Sequence, residues 1–141
     1  PMSILDKFSM RGKVSVVTGG NRGIGKAIAV GLAEAGSSIV IAARDEAKSE
    51  ETLAELQKLG VPAIAVKTDV ANRDDLEAMV ETVAKELGPI DVLVNNAGIG
   101  FHANALTLSD DEWQRLFSIN LDAVWCRGSV RFTNSIVWLG C

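Results

Sequence analysis

The sequence predicts an α/β protein in which one doubly wound sheet of parallel strands is covered by helices on both faces, giving three layers. Short β-branched runs alternate with longer segments whose apolar residues recur at helical spacing, as the crossovers between parallel strands require. The strand-like runs are apolar on both sides, which is typical of a sheet buried from both faces. A length of 141 residues fits a single domain.

The elements follow one another in a βαβαβαβα order. The strand-like runs cover residues 13–18, 38–43, 63–67 and 91–94. Apolar residues at helical spacing follow the first run as far as Gly36, which is expected to end that helix. The second helix is expected to place Leu53, Leu56 and Leu59 on one face and to end at Gly60.

The last two helices carry capping signals. Asn72 is expected to cap the third helix, and Gly88 to end it. Ser109 and Glu112 form the S-x-x-E pattern of a capping box, followed by an apolar face that includes Trp113.

A glycine-rich loop, residues 18–25, joins the first strand to the first helix. Its first glycines permit a tight turn, Gly23 allows the backbone to approach a pyrophosphate, and Gly25 allows the helix to pack closely on the strand. Phosphates are expected at the helix N-terminus, where free N–H groups and the helix dipole favour negative charge. The cofactor-binding residues predicted here are Gly19, Asn21, Arg22, Gly23, Ile24 and Gly25.

The same loop also matches a P-loop, because Gly20 to Lys26 reads G-x-x-x-x-G-K. Ala27 follows, however, where a P-loop needs a hydroxyl for magnesium, and no acidic residue ends the strand at Val94. We interpret the match as a coincidence of spacing and predict no metal site.

The end of the second strand indicates which dinucleotide binds. NAD-binding proteins usually place an acid there, whereas this strand ends in two alanines followed by Arg44. A guanidinium pairs with a 2′-phosphate, and Arg22 could supply a second positive charge. NADP(H) is therefore predicted, with NAD as the alternative. The competing interpretation of Arg44 is a solvated arginine near Asp45.

Charge and composition exclude several other functions. A formal net charge of −4 gives no electrostatic reason to expect a nucleic acid or an anionic membrane as a partner. No apolar run reaches the length of a membrane-spanning helix. Cys126 and Cys141 form neither a metal-ligand spacing nor a disulfide framework, so a reducing cytoplasm is the expected location.

With these motifs, residues 12–124 resemble the short-chain dehydrogenase/reductase family, whose fold is of the Rossmann type. The resemblance rests on the 18–25 loop, Asp69-Val70 after the third strand, the segment Asn95-Asn96-Ala97-Gly98 after the fourth strand, and Asn120. It is similar both to 3-oxoacyl-carrier-protein reductases and to enzymes acting on gluconate and polyols.

The resemblance implies roles for these residues. Asp69 would hydrogen-bond the adenine and Val70 would pack beside the ring. Asn96, Ala97 and Gly98 would line the cofactor. Asn120 would interrupt its helix and hold a water in the proton relay; its position seven residues after Trp113 also places it on an apolar face, which favours a constrained side chain. The alternative interpretations are that Asp69 caps a strand end or loop, that Asn95 and Asn96 are turn residues bonded to their own backbone, and that Asn120 is an exposed helix residue. His102 is interpreted as an ordinary loop residue.

The family's catalytic tyrosine and lysine are not in this sequence. It contains no tyrosine, and no lysine follows Lys85. Without a neighbouring cation a phenol titrates near pH 10, too high for acid/base work at neutral pH. Ser129 and Ser135 stand in the wrong context for the catalytic serine.

The composition changes at the same place. Residues 125–141 contain no acidic residue and two of the three tryptophans. We therefore expect an NADP-binding half-domain over residues 1–124, an atypical tail over 125–141, and a sheet truncated after about four strands with one open edge.

Two functions follow from this division of the chain. The first is hydride transfer between NADP(H) and a small ketone or secondary alcohol; the alternative is a nucleotide-binding fragment without turnover. Family members commonly pair through the helix that begins at Ser109, so a homo-oligomer is a further expectation.

Overall fold

A computed structural model of the chain describes residues 3–100, 106–124 and 137–140, the last of these as backbone. The strands are β1 (Val14–Thr18), β2 (Ser38–Ala43), β3 (Ala63–Lys67), β4 (Val92–Asn95) and β5 (Val137–Gly140). The helices are α1 (Gly23–Glu34), α2 (Glu46–Gln57), α3 (Arg73–Glu86) and α4 (Asp110–Phe117). A 3-10 turn covers Leu5–Phe8, and a π-helical turn, Ser118–Asp122, continues α4.

The predicted fold class is confirmed: the strands form one parallel sheet in the order β3-β2-β1-β4-β5, between helices on both faces. Alternate strand residues point to opposite faces. On one face of the sheet, Val17 of β1 belongs to a buried cluster with Ala29 and Ala33 of α1 and Leu56 of α2. The other face packs through Val16 against α3. β1, β2 and β4 are buried on both faces, as their apolar runs predict, whereas β3, at the edge of the sheet, is only partly buried.

The capping signals predicted from the sequence are confirmed. The side chain of Asn72 accepts a hydrogen bond from the N–H of Asp74 at the start of α3. Ser109 and Glu112 form the reciprocal capping box at the start of α4. These side chains satisfy backbone donors that a helix leaves unpaired in its first turn.

The sheet holds a fifth strand that the sequence analysis did not anticipate. β5 pairs in parallel with β4, from Val92 beside Val137 to Asn95 beside Gly140. The sheet thus has five described strands where about four were expected, and its edge on this side is β5 instead of β4. The change in composition after residue 124 hid a short run of strand-forming residues near the end of the chain.

The second helix is shorter than predicted: α2 ends at Gln57, so Leu59 lies beyond it and is 43% exposed. The side chains that α2 buries are Ser49, Thr52 and Leu56. α4 buries none of the side chains between Asp110 and Phe117. Within the described ranges, no helix is long and apolar enough to cross a membrane.

An ion pair fastens the starts of β1 and β4. Lys13 Nζ lies 2.8 Å from Asp91 Oδ1, and the N–H of Val14 donates to Asp91 Oδ2 at 2.9 Å. Burial raises the pKa of Asp91, but the hydrogen bonds from Lys13 and Val14 outweigh it and leave the pKa below its ordinary value. The native state therefore favours the ionised carboxylate.

Stability should consequently depend on the charge of Asp91. A carboxyl group with a lowered folded pKa stabilises the native state above its unfolded pKa, and this contribution is lost as the pH falls through the folded pKa. We expect Asp91→Asn to reduce the free energy of unfolding at neutral pH by about 1–3 kcal/mol. Urea denaturation between about pH 6 and pH 3 should show a smaller pH dependence than in the unmodified chain. Glu50→Gln, at an exposed carboxyl of α2, is the control; an unchanged pH profile in Asp91→Asn would contradict the assignment.

Candidate nucleotide-binding site

A cleft of about 760 Å³ opens at the carboxyl ends of β1 to β4. The strand order reverses between β1 and β4, and the crevice outside such a reversal is where open α/β sheets bind ligands. The cleft is lined by the glycine loop, the β2–α2 turn, the ends of β3 and β4, and the π-helical turn. Twelve of its residues are the predicted cofactor-binding residues Gly19, Asn21, Arg22, Gly23, Ile24, Gly25, Arg44, Asp69, Val70, Asn96, Ala97 and Gly98.

The N-terminus of α1 faces this cleft without a side-chain cap. Its N-cap residue, Arg22, makes no capping hydrogen bond among the described residues, whereas Asp45, Asn72 and Ser109 cap the other three helices. Gly23 has a φ of +53°, and a Cβ built there meets nothing within 4 Å, so its backbone is open to a ligand. Uncapped N–H groups beside open space are suited to an anion.

A network of hydrogen bonds holds the glycine loop against the end of β4. The buried Thr18 donates from Oγ1 to the carbonyl of Val94 at 3.2 Å and accepts from the N–H groups of Asn96 (3.1 Å) and Ala97 (3.0 Å). Asn96 Nδ2 donates to the carbonyls of Thr18 at 3.0 Å and Gly19 at 3.3 Å. The second asparagine of the pair thus fixes the shape of the loop.

Asn95 differs from its neighbour. Its side chain is buried, and neither amide atom has a hydrogen-bond partner within residues 3–100, 106–124 and 137–140. Asn95 ends β4, and the next three residues of the predicted segment, Asn96 to Gly98, line the cleft.

The wall of the cleft at the β2–α2 turn is basic. Arg22, Arg44 and Lys48 all line it, with Asp45 as the acid of the turn. Hydrogen bonds from the backbone N–H and the ammonium of Lys48 hold the pKa of Asp45 below its ordinary value, and the charge of Arg22 lowers it further. Three cations against this carboxylate leave that wall positive. Lys48 was missed by the sequence analysis, although it lies in the first turn of α2, four residues after Arg44, and lines the same wall.

The opposite wall is formed by residues after β3 and by the π-helical turn. Val70 is buried against Ile119 and Ala123, with Ala97 and Ile99 beside them. Asp69 is half-buried, and its Oδ1 accepts from the N–H of Ala71 at 3.0 Å. Ile24, on the first turn of α1, is 71% exposed and faces the same space.

Asn120 is held by its amide. Its Oδ1 accepts from the N–H of Ile99 at 2.9 Å, and its Nδ2 donates to the Ile99 carbonyl at 2.8 Å. It lies in the π-helical turn, so the helix is interrupted at this residue. The apolar face on which Asn120 was expected does not constrain it, because Trp113 is 49% exposed; the two hydrogen bonds do.

Several residues weighed in the sequence analysis lie outside the described residues: His102, Cys126, Ser129, Ser135 and Cys141. In the part of the chain that is described, no group of three histidine, cysteine, aspartate or glutamate side chains could hold a metal ion.

A second groove, of about 890 Å³, lies between the N-terminal 3-10 turn and the ends of α1 and α2. It is slightly larger than the cleft, but Gly36 and Gly60 place it at the C-termini of helices, where carbonyl groups repel anions. The cleft has the better chemistry for a nucleotide.

A family model described as short chain dehydrogenase matches residues 13–130. The chain is 40% identical over 121 residues to a 2-dehydro-3-deoxy-D-gluconate 5-dehydrogenase of Pseudoalteromonas atlantica; the match covers 85% of this chain and 48% of that protein.

Solved structures of similar proteins match the fold of this chain. A short-chain type dehydrogenase/reductase from Mycobacterium marinum superposes with a TM-score of 0.88 at 34% identity, over 92% of this chain and 52% of the other. L-sorbose reductase from Gluconobacter frateurii, in complex with NADPH and L-sorbose, gives 0.83 at 36% identity, over 87% and 47%. The chain thus spans about half the length of the proteins it matches.

Proposed function

This chain belongs to the short-chain dehydrogenase/reductase family, and we infer that its residues 1–124 form the NADP(H)-binding unit of an oxidoreductase. One observation carries the inference: the uncapped N-terminus of α1 opens into a cleft whose wall bears Arg22 and Arg44, with no acid at the end of β2. Such a wall would attract a 2′-phosphate, and its one acid in the β2–α2 turn, Asp45, follows Arg44 and is paired with Lys48.

The residues present fit the dinucleotide. The free N–H groups of the first turn of α1, beside the open Gly23, would hold the pyrophosphate. Arg22 and Arg44 would pair with the 2′-phosphate. Asp69 and Val70 would contact the adenine, and the exposed Ile24 would be covered by the bound molecule.

The remaining site residues would contact the middle of the bound dinucleotide, between its two nucleotide halves. Asn96, Ala97 and Gly98 would line its middle, and the amide of Asn120 would keep Ile99 in place beside it. Bound NADP(H) supplies a hydride that can be exchanged with a carbonyl carbon. Asn120 would hold a water on the route of the accompanying proton.

The substrate proposed for the whole protein is a small ketone or secondary alcohol. A sugar acid or polyol is the favoured class, because one relative is a 2-dehydro-3-deoxy-D-gluconate dehydrogenase and another structure holds L-sorbose. We place the protein in the cytoplasm, as a homo-oligomer acting on a soluble metabolite.

The second candidate function is nucleotide binding without turnover. The sequence contains no tyrosine to protonate the substrate oxygen. For the 141-residue chain by itself this candidate is favoured, since Asn120 is the one residue of the relay that can be assigned.

Nucleotide titration separates these alternatives. We expect NADPH to quench the tryptophan fluorescence of the purified chain and to bind at least about tenfold more tightly than NADH, because a paired phosphate contributes more than about 1.4 kcal/mol. NADPH oxidation with a panel of ketones should stay at the rate without protein. If the chain binds neither nucleotide, the proposed function is wrong. If it turns over a ketone clearly, the inference that it has no group to protonate the substrate oxygen is wrong.

A further inference from the structure

The buried face of α2 is polar next to the glycine loop. Thr52 is 1% exposed and Ser49 is 4% exposed, although α2 has leucines that would bury more apolar surface. Polar side chains are rarely buried without a hydrogen-bonding purpose. The partner of both is Asn21, itself 8% exposed within the loop.

The contacts form a closed network between the loop and the start of α2. Asn21 Nδ2 donates to the Asp45 carbonyl at 3.1 Å and to Ser49 Oγ at 3.2 Å. Ser49 Oγ donates to the same carbonyl at 2.7 Å, and Thr52 Oγ1 donates to the carbonyl of Asn21 at 3.2 Å. The amide orientation of Asn21 follows from this chemistry, because the Asp45 carbonyl can only accept.

The network joins the backbone next to both arginines of the cleft. Asn21 directly precedes Arg22, and Asp45 directly follows Arg44. The arginine side chains are long and exposed, so their convergence on one anion depends on the separation of the two backbone segments. α1 and α2 are also joined by a partly exposed ion pair, in which Lys26 Nζ lies 2.7 Å from Glu55 Oε1.

We propose that Asn21, Ser49 and Thr52 are positioning residues that set the spacing of Arg22 and Arg44, and thereby the preference for a 2′-phosphorylated dinucleotide. The proposal rests on the proposed function, since it concerns the same nucleotide site. Ser49 and Thr52 do not line the cleft, so an effect of either on nucleotide preference would act through the loop and the turn.

Isosteric variants of the full 141-residue chain test this. Thr52→Val removes only the hydroxyl that holds the Asn21 carbonyl, and Thr52→Ser retains it. Thr82→Val is the matched control, because Thr82 donates to the Ala78 carbonyl within α3, away from the site. Each variant is titrated with NADPH and with NADH, and hydrogen exchange is followed by mass spectrometry over residues 44–52 without nucleotide.

Thr52→Val and Ser49→Ala are expected to weaken NADPH binding about threefold to tenfold and to leave NADH binding within about twofold. Exchange over residues 44–52 should be faster in both, and Thr52→Ser and Thr82→Val should behave like the unmodified chain. An equal loss for both nucleotides, or no loss with unchanged exchange, would overturn the positioning role while the proposed function stands. If the unmodified chain binds neither nucleotide, the proposed function itself fails and this inference with it.

Discussion

Replacing Gly25 with alanine is expected to weaken NADPH binding by at least roughly tenfold and to lower the free energy of unfolding by about 1–3 kcal/mol. A Cβ at this position would collide with the side-chain amide of Asn96 and with the carbonyl oxygen of Gly19. Neither can retreat freely, because Asn96 is bound to the carbonyls of Thr18 and Gly19. The first turn of α1 would have to move away from β1 and β4, taking its free N–H groups with it.

Gly31 provides a matched control in the same helix. A Cβ built at Gly31 meets nothing within 4 Å, so alanine there should raise stability by about 0.5–1 kcal/mol and leave NADPH binding unchanged. Thermal unfolding and fluorescence titration of the two variants give the comparison. Equal NADPH affinities in Gly25→Ala and Gly31→Ala would mean that the packing of the loop does not control the site.

The fold and most of the cleft follow from the sequence because their signals are local. The glycines of residues 18–25 prescribe a turn and an open backbone, and Asn72 and Ser109 mark helix starts through hydrogen bonds to residues two or three positions away. The position of Arg44 at the cleft could be predicted because strand and turn follow each other directly. Each of these features is decided within a few residues of chain.

The features that the sequence did not reveal depend on long-range contacts. Ser49 and Thr52 were passed over in favour of three leucines, since their burial is explained only by Asn21, which lies far away in sequence. β5 was missed because the strand forms beside β4 across more than forty residues of intervening chain. Helical spacing predicts an apolar face; it cannot show a buried polar one whose partner is on another element.

Asn120 shows the same limit within the site. A seven-residue spacing assumes an uninterrupted helix, but the π-helical turn changes the direction in which the following side chains point. The constraint on its amide comes from the backbone of Ile99, at the end of the loop after β4. Only the folded arrangement brings that loop and that turn together.

Arg44→Asp is expected to reverse the nucleotide preference. Loss of the guanidinium removes charge-assisted hydrogen bonds of about 1.5–3 kcal/mol, and the carboxylate would repel the 2′-phosphate, so NADPH binding should weaken by roughly a hundredfold. The same carboxylate, at the end of β2, can accept a hydrogen bond from the 2′-hydroxyl of NADH, whose affinity should be retained or increased. Fluorescence titrations with both nucleotides measure the change.

Lys58→Asp separates the local effect from the change in net charge. It also replaces a cation by aspartate, but at the far end of α2, about 18 Å along the helix from the β2–α2 turn. That distance exceeds the screening length of about 8 Å at physiological ionic strength, so Lys58→Asp should leave both affinities nearly unchanged. If Arg44→Asp binds NADPH and NADH as the unmodified chain does, Arg44 is a solvated arginine that contacts no phosphate. If both variants weaken NADPH equally, the effect belongs to overall charge, and the preference for NADP(H) would need another source in the cleft.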